Sequence, residues 1–166
     1  MKMAVTGHTS GLGLAIYTHF QNSYHVVGFS RSNGFDIKDK IARQKILEFC
    51  EDFDIFVNNA YNNFDNSQLL LLEEIFTLWQ DKDKTIVNIS SRFTTGHNPY
   101  SKTKKELDIF CENQLYSLPK IINLKPGLID TSRVKNEKAM KLSTDQVLEV
   151  LKFSLNNNIR SVTFGL

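Results

Sequence analysis

The chain has 166 residues, of which 41% are hydrophobic and 23% charged, and its net charge is +2. This is enough chain for one domain, residues 1–166, with a real buried core. The charge is too small and too evenly spread for a nucleic-acid surface. The densest basic run, Ser101 to Lys105, reads as a solvated helix face apart from Lys104. The longest apolar run, Leu69 to Leu72, stops at Glu73 and Glu74, far short of a bilayer span. The first apolar strand starts by Met3 and leaves no room for a leader peptide. Cys50 and Cys111 lie far apart without a metal-binding spacing. We therefore expect buried thiols, no metal site, and a soluble protein of the reducing cytoplasm.

Strand and helix alternate along the chain. Met3–Thr6 is a short apolar strand, and Gly11–Asn22 has Leu12, Ala15, Ile16 and Phe20 at helical spacing. His25–Phe29 is a second strand and Phe35–Ile37 a minimal third. Asp39–Phe53 carries Ile41, Ile46, Leu47 and Cys50 and is predicted helical. Strand Asp54–Val57, helix Ser67–Gln80, strand Thr85–Ile89, helix Tyr100–Tyr116 and strand Lys120–Leu124 follow. A helix capped by Ser143 or Thr144 runs to about Leu155, with Val147, Leu148, Val150, Leu151 and Phe153 on or near its buried stripe, and Ser161–Phe164 is the last strand. Apolar strands without period-two alternation imply burial on both faces. The fold class is therefore α/β, a three-layer doubly wound Rossmann arrangement with a parallel sheet of about six or seven strands. A ligand belongs at the carboxyl ends of those strands, at the topological switch point.

The first strand runs into Gly7-His8-Thr9-Ser10-Gly11-Leu12-Gly13, a Gly-x-x-x-Gly-x-Gly turn between strand and helix. Glycine lets backbone approach a pyrophosphate closely, and the helix N-terminus offers amide donors to it. Thr9, Ser10 and Leu12 share that turn. Four further segments follow in order: Asn58-Asn59-Ala60, Ile86-Val87-Asn88-Ile89-Ser90-Ser91, Tyr100-x-x-x-Lys104, and Pro126-Gly127-Leu128-Ile129-Asp130-Thr131. Tyr100 and Lys104, four apart on a helix, share a face, and an ammonium beside a phenol favours the phenolate.

Taken together, from Ala4 to Phe164, this set resembles a shortened member of the short-chain dehydrogenase/reductase family. The resemblance implies an NAD(P)-dependent oxidoreductase that interconverts a small-molecule carbonyl and an alcohol by hydride transfer. Tyr100 is then the general acid/base. Lys104 tunes it and holds the nicotinamide ribose, and Ser91 donates a hydrogen bond to the reacting oxygen. Asp36 and Ile37 correspond to the family's pair at the adenine, with Asn59 and Ala60 beneath the adenosine. Ile89 borders the cofactor, and Pro126, Gly127, Ile129 and Thr131 line its nicotinamide end. Gly28-Phe29-Ser30-Arg31-Ser32 ends the second strand without a carboxylate. Ser30 and Arg31 suit a 2′-phosphate, which favours NADP(H), with NAD(H) as the alternative.

The chain also departs from the family. Arg31 and Asp36 are only five apart, so the helix between the second and third strands is essentially absent. The segment after Ala60 is short, and nothing selects Asn62, Asn63 or Asn66 as the family's relay asparagine. Tyr61 replaces a glycine and is expected to crowd or stack on the adenosine. Only Ser132–Leu142 is available as a substrate lid. Arg92, His97 and Asp130 read as surface groups, and His8 either approaches a phosphate or points outward. The thinner supporting shell motivates an alternative: a catalytically weak or inactive dinucleotide-binding module, such as a redox-responsive partner protein. An epimerase or dehydratase would need a second lobe that the chain lacks. Leu69–Leu72, Ile75, Phe76 and Trp79 exceed what one helix needs to cover its own sheet, which predicts a homodimer or homotetramer.

Overall fold

The structure, a computed structural model, describes residues 1–62, 65–134 and 136–165. Among them, six parallel strands form one sheet: β1 (Lys2–Thr6), β2 (His25–Phe29), β3 (Ile55–Asn58), β4 (Thr85–Ile89), β5 (Lys120–Pro126) and β6 (Ser161–Phe164). Their order across the sheet is β2-β1-β3-β4-β5-β6, so the chain reverses direction between β1 and β3. The helices are α1 (Gly11–Phe20), α2 (Lys40–Cys50), α3 (Ser67–Leu78), α4 (Pro99–Asn113) and α5 (Thr144–Asn156). No helix among the described residues is long and apolar enough to cross a membrane.

Strand side chains alternate between two cores. Met3, Val5, Ile55, Val57, Val87 and Leu124 meet Leu12 and Ile16 of α1 and Val147, Leu148 and Leu151 of α5. Ala4, Phe56, Ile86 and Ile121 face the other way, onto Ile46 of α2, Leu71, Leu72 and Ile75 of α3, and Leu107 of α4. Burial on both faces is the reason that the strands read as continuous apolar runs. Cys50 and Cys111 are both buried, and burial pushes the Cys50 thiol up to about 12 and the Cys111 thiol well above its ordinary range.

The helix starts follow from local chemistry. Asp39 caps α2, accepting from the Ile41 amide. Asn98 caps α4 through the Ser101 amide, with Pro99 at the first helical position. Ser143 and Gln146 form a reciprocal capping box on α5. Two apolar helix residues lie outside: Ile41 is 62% exposed, and Phe153, expected on or near the buried stripe of α5, is 61% exposed. Buried α5 positions fall at Val147, Leu148, Leu151 and Ser154, and Phe153 sits off that stripe. On α3, Leu71, Leu72, Ile75 and Trp79 are consumed by the chain's own core, with Leu69 and Phe76 half-buried against it.

The expected third strand at Phe35–Ile37 does not form. Residues Arg31–Asn33 make a single 3-10 turn, closed by Gly34 in the left-handed region at φ 88°. The Phe35 amide then bonds back to the Ser30 carbonyl. This hairpin-like return leaves too little chain to lay a strand beside β2, which becomes the sheet edge. Ile37 still reaches the core, and Arg43 fastens the segment. Its guanidinium donates to the carbonyls of Ile37 (2.9 Å) and Lys38 (3.2 Å) and pairs with Glu74 of α3 at 2.9 Å. Replacing Arg43 with Ala removes all of these bonds at once. It should cost about 1–3 kcal/mol in urea unfolding with an unchanged denaturant slope.

Candidate functional site

The site is built on the turn after β1. The buried Thr6 hydroxyl accepts from the amides of Asn59 and Ala60, both at 2.9 Å, and donates to the Val57 carbonyl at 3.1 Å. Asn59 returns its side-chain amide to the Thr6 carbonyl at 2.9 Å. β1 and β3 are thus locked together where the chain reverses. Gly7 and Gly11 adopt left-handed conformations, φ 71° and 53°. A Cβ on Gly13 would lie 2.1 Å from the Gly7 carbonyl oxygen, so only glycine lets α1 start this close to β1. The result is a helix N-terminus facing a cleft of about 840 Å³ that runs along the carboxyl ends of β2, β1, β3, β4 and β5.

Every site residue named from the sequence lines this cleft. The turn residues Gly7, Thr9, Ser10, Gly11, Leu12 and Gly13 form its floor, and His8 does not reach it. At the β2 end, Ser30 is 7% exposed and its hydroxyl bonds the Ser32 hydroxyl at 2.8 Å, while Arg31 is exposed. Asp36 accepts from the Lys38 amide (3.0 Å) and from Asn62 (3.2 Å). Asn62 is thereby committed to the far end from Tyr100. Asn66 is exposed at the start of α3, and Asn63 lies outside the described residues.

At the other end, Ser91 follows β4, is 3% exposed and accepts from the Phe93 amide at 3.1 Å. Tyr100 and Lys104 project from the first turns of α4. The Lys104 ammonium lies 5.8 Å from the centre of the Tyr100 ring and is only 4% exposed. It donates to the Ile89 carbonyl at 3.0 Å and to Gln68 Oε1 at 2.8 Å. Gln68 Nε2 in turn donates to the carbonyls of Asn58 and Ile89, each at 3.0 Å. Gln68 carries little signal in the sequence, because the contact that gives it a role is made only in the fold. Its one signal was a polar residue at the start of an otherwise apolar helix.

Tyr61 is placed differently from expectation. Its ring lies 4.8 Å from the Lys104 ammonium and meets the Tyr100 ring edge-on, centroids 5.3 Å apart. It therefore belongs to the Tyr100 end of the cleft. A lysine against an aromatic face gains electrostatic attraction that survives burial. Ser32, Phe35, Asn62, Ser90, Phe93, Leu128, Ser132 and Val134 also border the cleft, beyond the residues assigned to it from the sequence. The segment after β5 leaves at Ile129 and returns at Leu142 through a bridge between the two, carrying Ser132 and Val134 over the cleft mouth.

A buried polar row supports Lys104 from behind. Asn58, Asn88 and Asn123 stand side by side on β3, β4 and β5. Asn58 donates to Asn88 (3.0 Å) and to the Gln68 carbonyl (3.0 Å), Asn88 to Asn123 (2.9 Å), and Asn123 to Asp108 of α4 (2.8 Å). Such a row stabilises only when its members are satisfied together. In urea unfolding, a double-mutant cycle of Gln68→Ala and Lys104→Ala should therefore give a coupling of about 0.5–3 kcal/mol rather than additivity.

No protein-family description and no curated protein matches the sequence. Solved structures do match. A short-chain dehydrogenase from Burkholderia cenocepacia J2315 in complex with NADP aligns at TM-score 0.84 with 18% identity, covering 99% of this chain and 88% of the other. The 3-alpha-hydroxysteroid dehydrogenase from Pseudomonas sp. B-0831, complexed with NADH, aligns at 0.77 with 15% identity, covering 99% and 96%. The closed form of a serine dehydrogenase complexed with NADP+ aligns at 0.75 with 18% identity, covering 99% and 94%. At these identities the likeness speaks to architecture: this chain has the doubly wound fold of the short-chain dehydrogenase structures.

Proposed function

We propose that this chain is a single-domain, NADP(H)-dependent oxidoreductase of the short-chain dehydrogenase/reductase family that interconverts a carbonyl and an alcohol. The observation that carries the proposal is the convergence of the glycine turn, Ser91, Tyr100 and Lys104 on one cleft at the switch point of the sheet. The cradle fits a dinucleotide. Its glycines leave room for backbone amides to meet a pyrophosphate, and the N-terminus of α1 faces the same space. Arg31 and the hydroxyls of Ser30 and Ser32 offer donors for a 2′-phosphate. The nearest carboxylate, Asp36, is already bonded by Asn62 and the Lys38 amide. That pattern favours NADP(H) over NAD(H), and several of the structural neighbours are themselves described as NADP complexes.

When bound, the nicotinamide supplies or accepts hydride. The remaining work falls to the chain. Tyr100 transfers the proton at the substrate oxygen, and the Lys104 cation stabilises negative charge as it develops on the phenol. Gln68 and the Ile89 carbonyl aim that cation, and Ser91 orients the oxygen. Self-association belongs to the same reading. Ile109 of α4 is 47% exposed, beside half-buried Phe76 and Phe110, which would pack against a second copy. A second reading, a dinucleotide-binding module with little or no turnover, draws on Tyr61. Its ring covers the ammonium that must meet a ribose.

Fluorescence titration with NADPH and NADH tests the cofactor. NADPH should bind more tightly, and Arg31→Ala should weaken NADPH by about tenfold while leaving NADH nearly unchanged. Binding of neither defeats the proposal. Tyr100→Phe should retain NADPH binding and lose turnover by about a hundredfold or more, and unimpaired turnover would reject the acid/base role. Sedimentation at micromolar concentration should show a dimer or tetramer.

A further inference from the structure

The charged side chains that border the cleft, among the described residues, are Arg31, Asp36 and Lys104. Two of them belong to the wrong end for a substrate. Arg31 and Asp36 follow β2, and Ser91 follows β4, three strand positions away, which is about 14 Å at ~4.8 Å per strand. The third is engaged from within, because Lys104 gives its protons to Gln68 and to the Ile89 carbonyl.

The mouth beside Ser91 and Tyr100 has a different character. The Phe93 amide bonds Ser91 there and the rings of Tyr61 and Tyr100 meet edge-on, while Leu128 and Val134 line the same cleft. Phe93 is 46% exposed, a large apolar ring left in water at the rim of a cleft. Singly exposed apolar residues are ordinary, but one at the mouth of a pocket presents ready-made contact area for an apolar ligand. The Arg92 guanidinium donates to the Gly165 carbonyl, lies 5.7 Å from the Phe93 ring centre, and does not border the cleft. Lys141, at the return of the overlying segment, pairs with Asp130 at 3.6 Å.

From this distribution we infer that the substrate is an uncharged carbonyl compound bearing an apolar, ring-sized substituent, with Phe93 as a specificity-determining residue. The inference rests on the oxidoreductase reading above. In the reduction, hydride from NADPH adds to the carbonyl carbon and the Tyr100 proton to its oxygen. The products are the alcohol, NADP+ and a phenolate that regains its proton from solvent. Among the described residues no cation other than the engaged Lys104 borders this mouth, so an anionic substituent there would be desolvated against aromatic and aliphatic groups.

The test uses two aldehydes of similar shape, para-tolualdehyde and para-carboxybenzaldehyde, with the full chain and NADPH. NADPH consumption is followed by absorbance, and binding of each aldehyde is followed separately by saturation-transfer NMR with NADP+ present. The expected result is a kcat/KM at least about tenfold higher for tolualdehyde, reversed toward the carboxylate by Phe93→Lys. Equal or better use of the carboxylate overturns the inference, as does the absence of NMR contact with tolualdehyde. NMR contact that Phe93→Lys shifts toward the carboxylate, without NADPH consumption, upholds the apolar mouth and rejects the hydride-transfer reading instead.

Discussion

The hydroxyl of Thr6 holds the ends of β1 and β3 together, and the rest of the site is arranged around that knot. Neighbouring parallel strands feed helices to opposite faces at this point, so a gap opens between them. Left alone, the gap would expose the amides of Asn59 and Ala60. Thr6 accepts both, and Asn59 closes the circuit on the Thr6 carbonyl. The same asparagine would collide with any side chain on Gly13, where a Cβ would lie 2.6 Å from its amide nitrogen. One polar knot therefore fixes strand spacing, turn shape and the position of the α1 N-terminus.

A second polar structure stands further along the sheet, across β3, β4 and β5. Lys104 is a buried cation, and burying a charge is costly without partners. Gln68 and the Ile89 carbonyl meet it directly, and the asparagine row carries the hydrogen bonding on to Asp108, whose carboxylate lies 3.9 Å from Lys125. The row occupies positions where the apolar pattern of β3, β4 and β5 breaks. A chain that interrupts three adjacent strands at one register level places the whole interruption in a single layer. There each amide donates to the next, and only the Asn58 side-chain oxygen, among the row's described atoms, is buried without a partner.

Much of this was legible in the sequence. Apolar runs placed all six strands, and the order of the glycine turn, Ser91, Tyr100 and Lys104 placed the cleft. What escaped depended on side-chain direction or on chain reversal. Phe35–Ile37 has the apolar content of a strand, but Gly34 turns the chain before a strand can pair. Ile41 and Phe153 are apolar residues in a helical run, yet each falls about 100° outside the buried stripe of its helix. Gln68 carries a contact made only once α3 crosses α4. Tyr61 was assigned to the adenosine from its neighbours Asn59 and Ala60, yet its long side chain reaches Lys104 instead.

The position of β2 at the sheet edge also shapes how this molecule meets others. An outer strand presents unpaired amides and carbonyls to any extended segment that drifts past, which is how sheets grow into fibres. Here the margin is only five residues long. Asn33 folds back to bond the Gly28 carbonyl at 2.9 Å, which occupies one of the exposed acceptors. The edge strand thus carries a small guard against runaway stacking, in a turn that also borders the proposed nucleotide cleft.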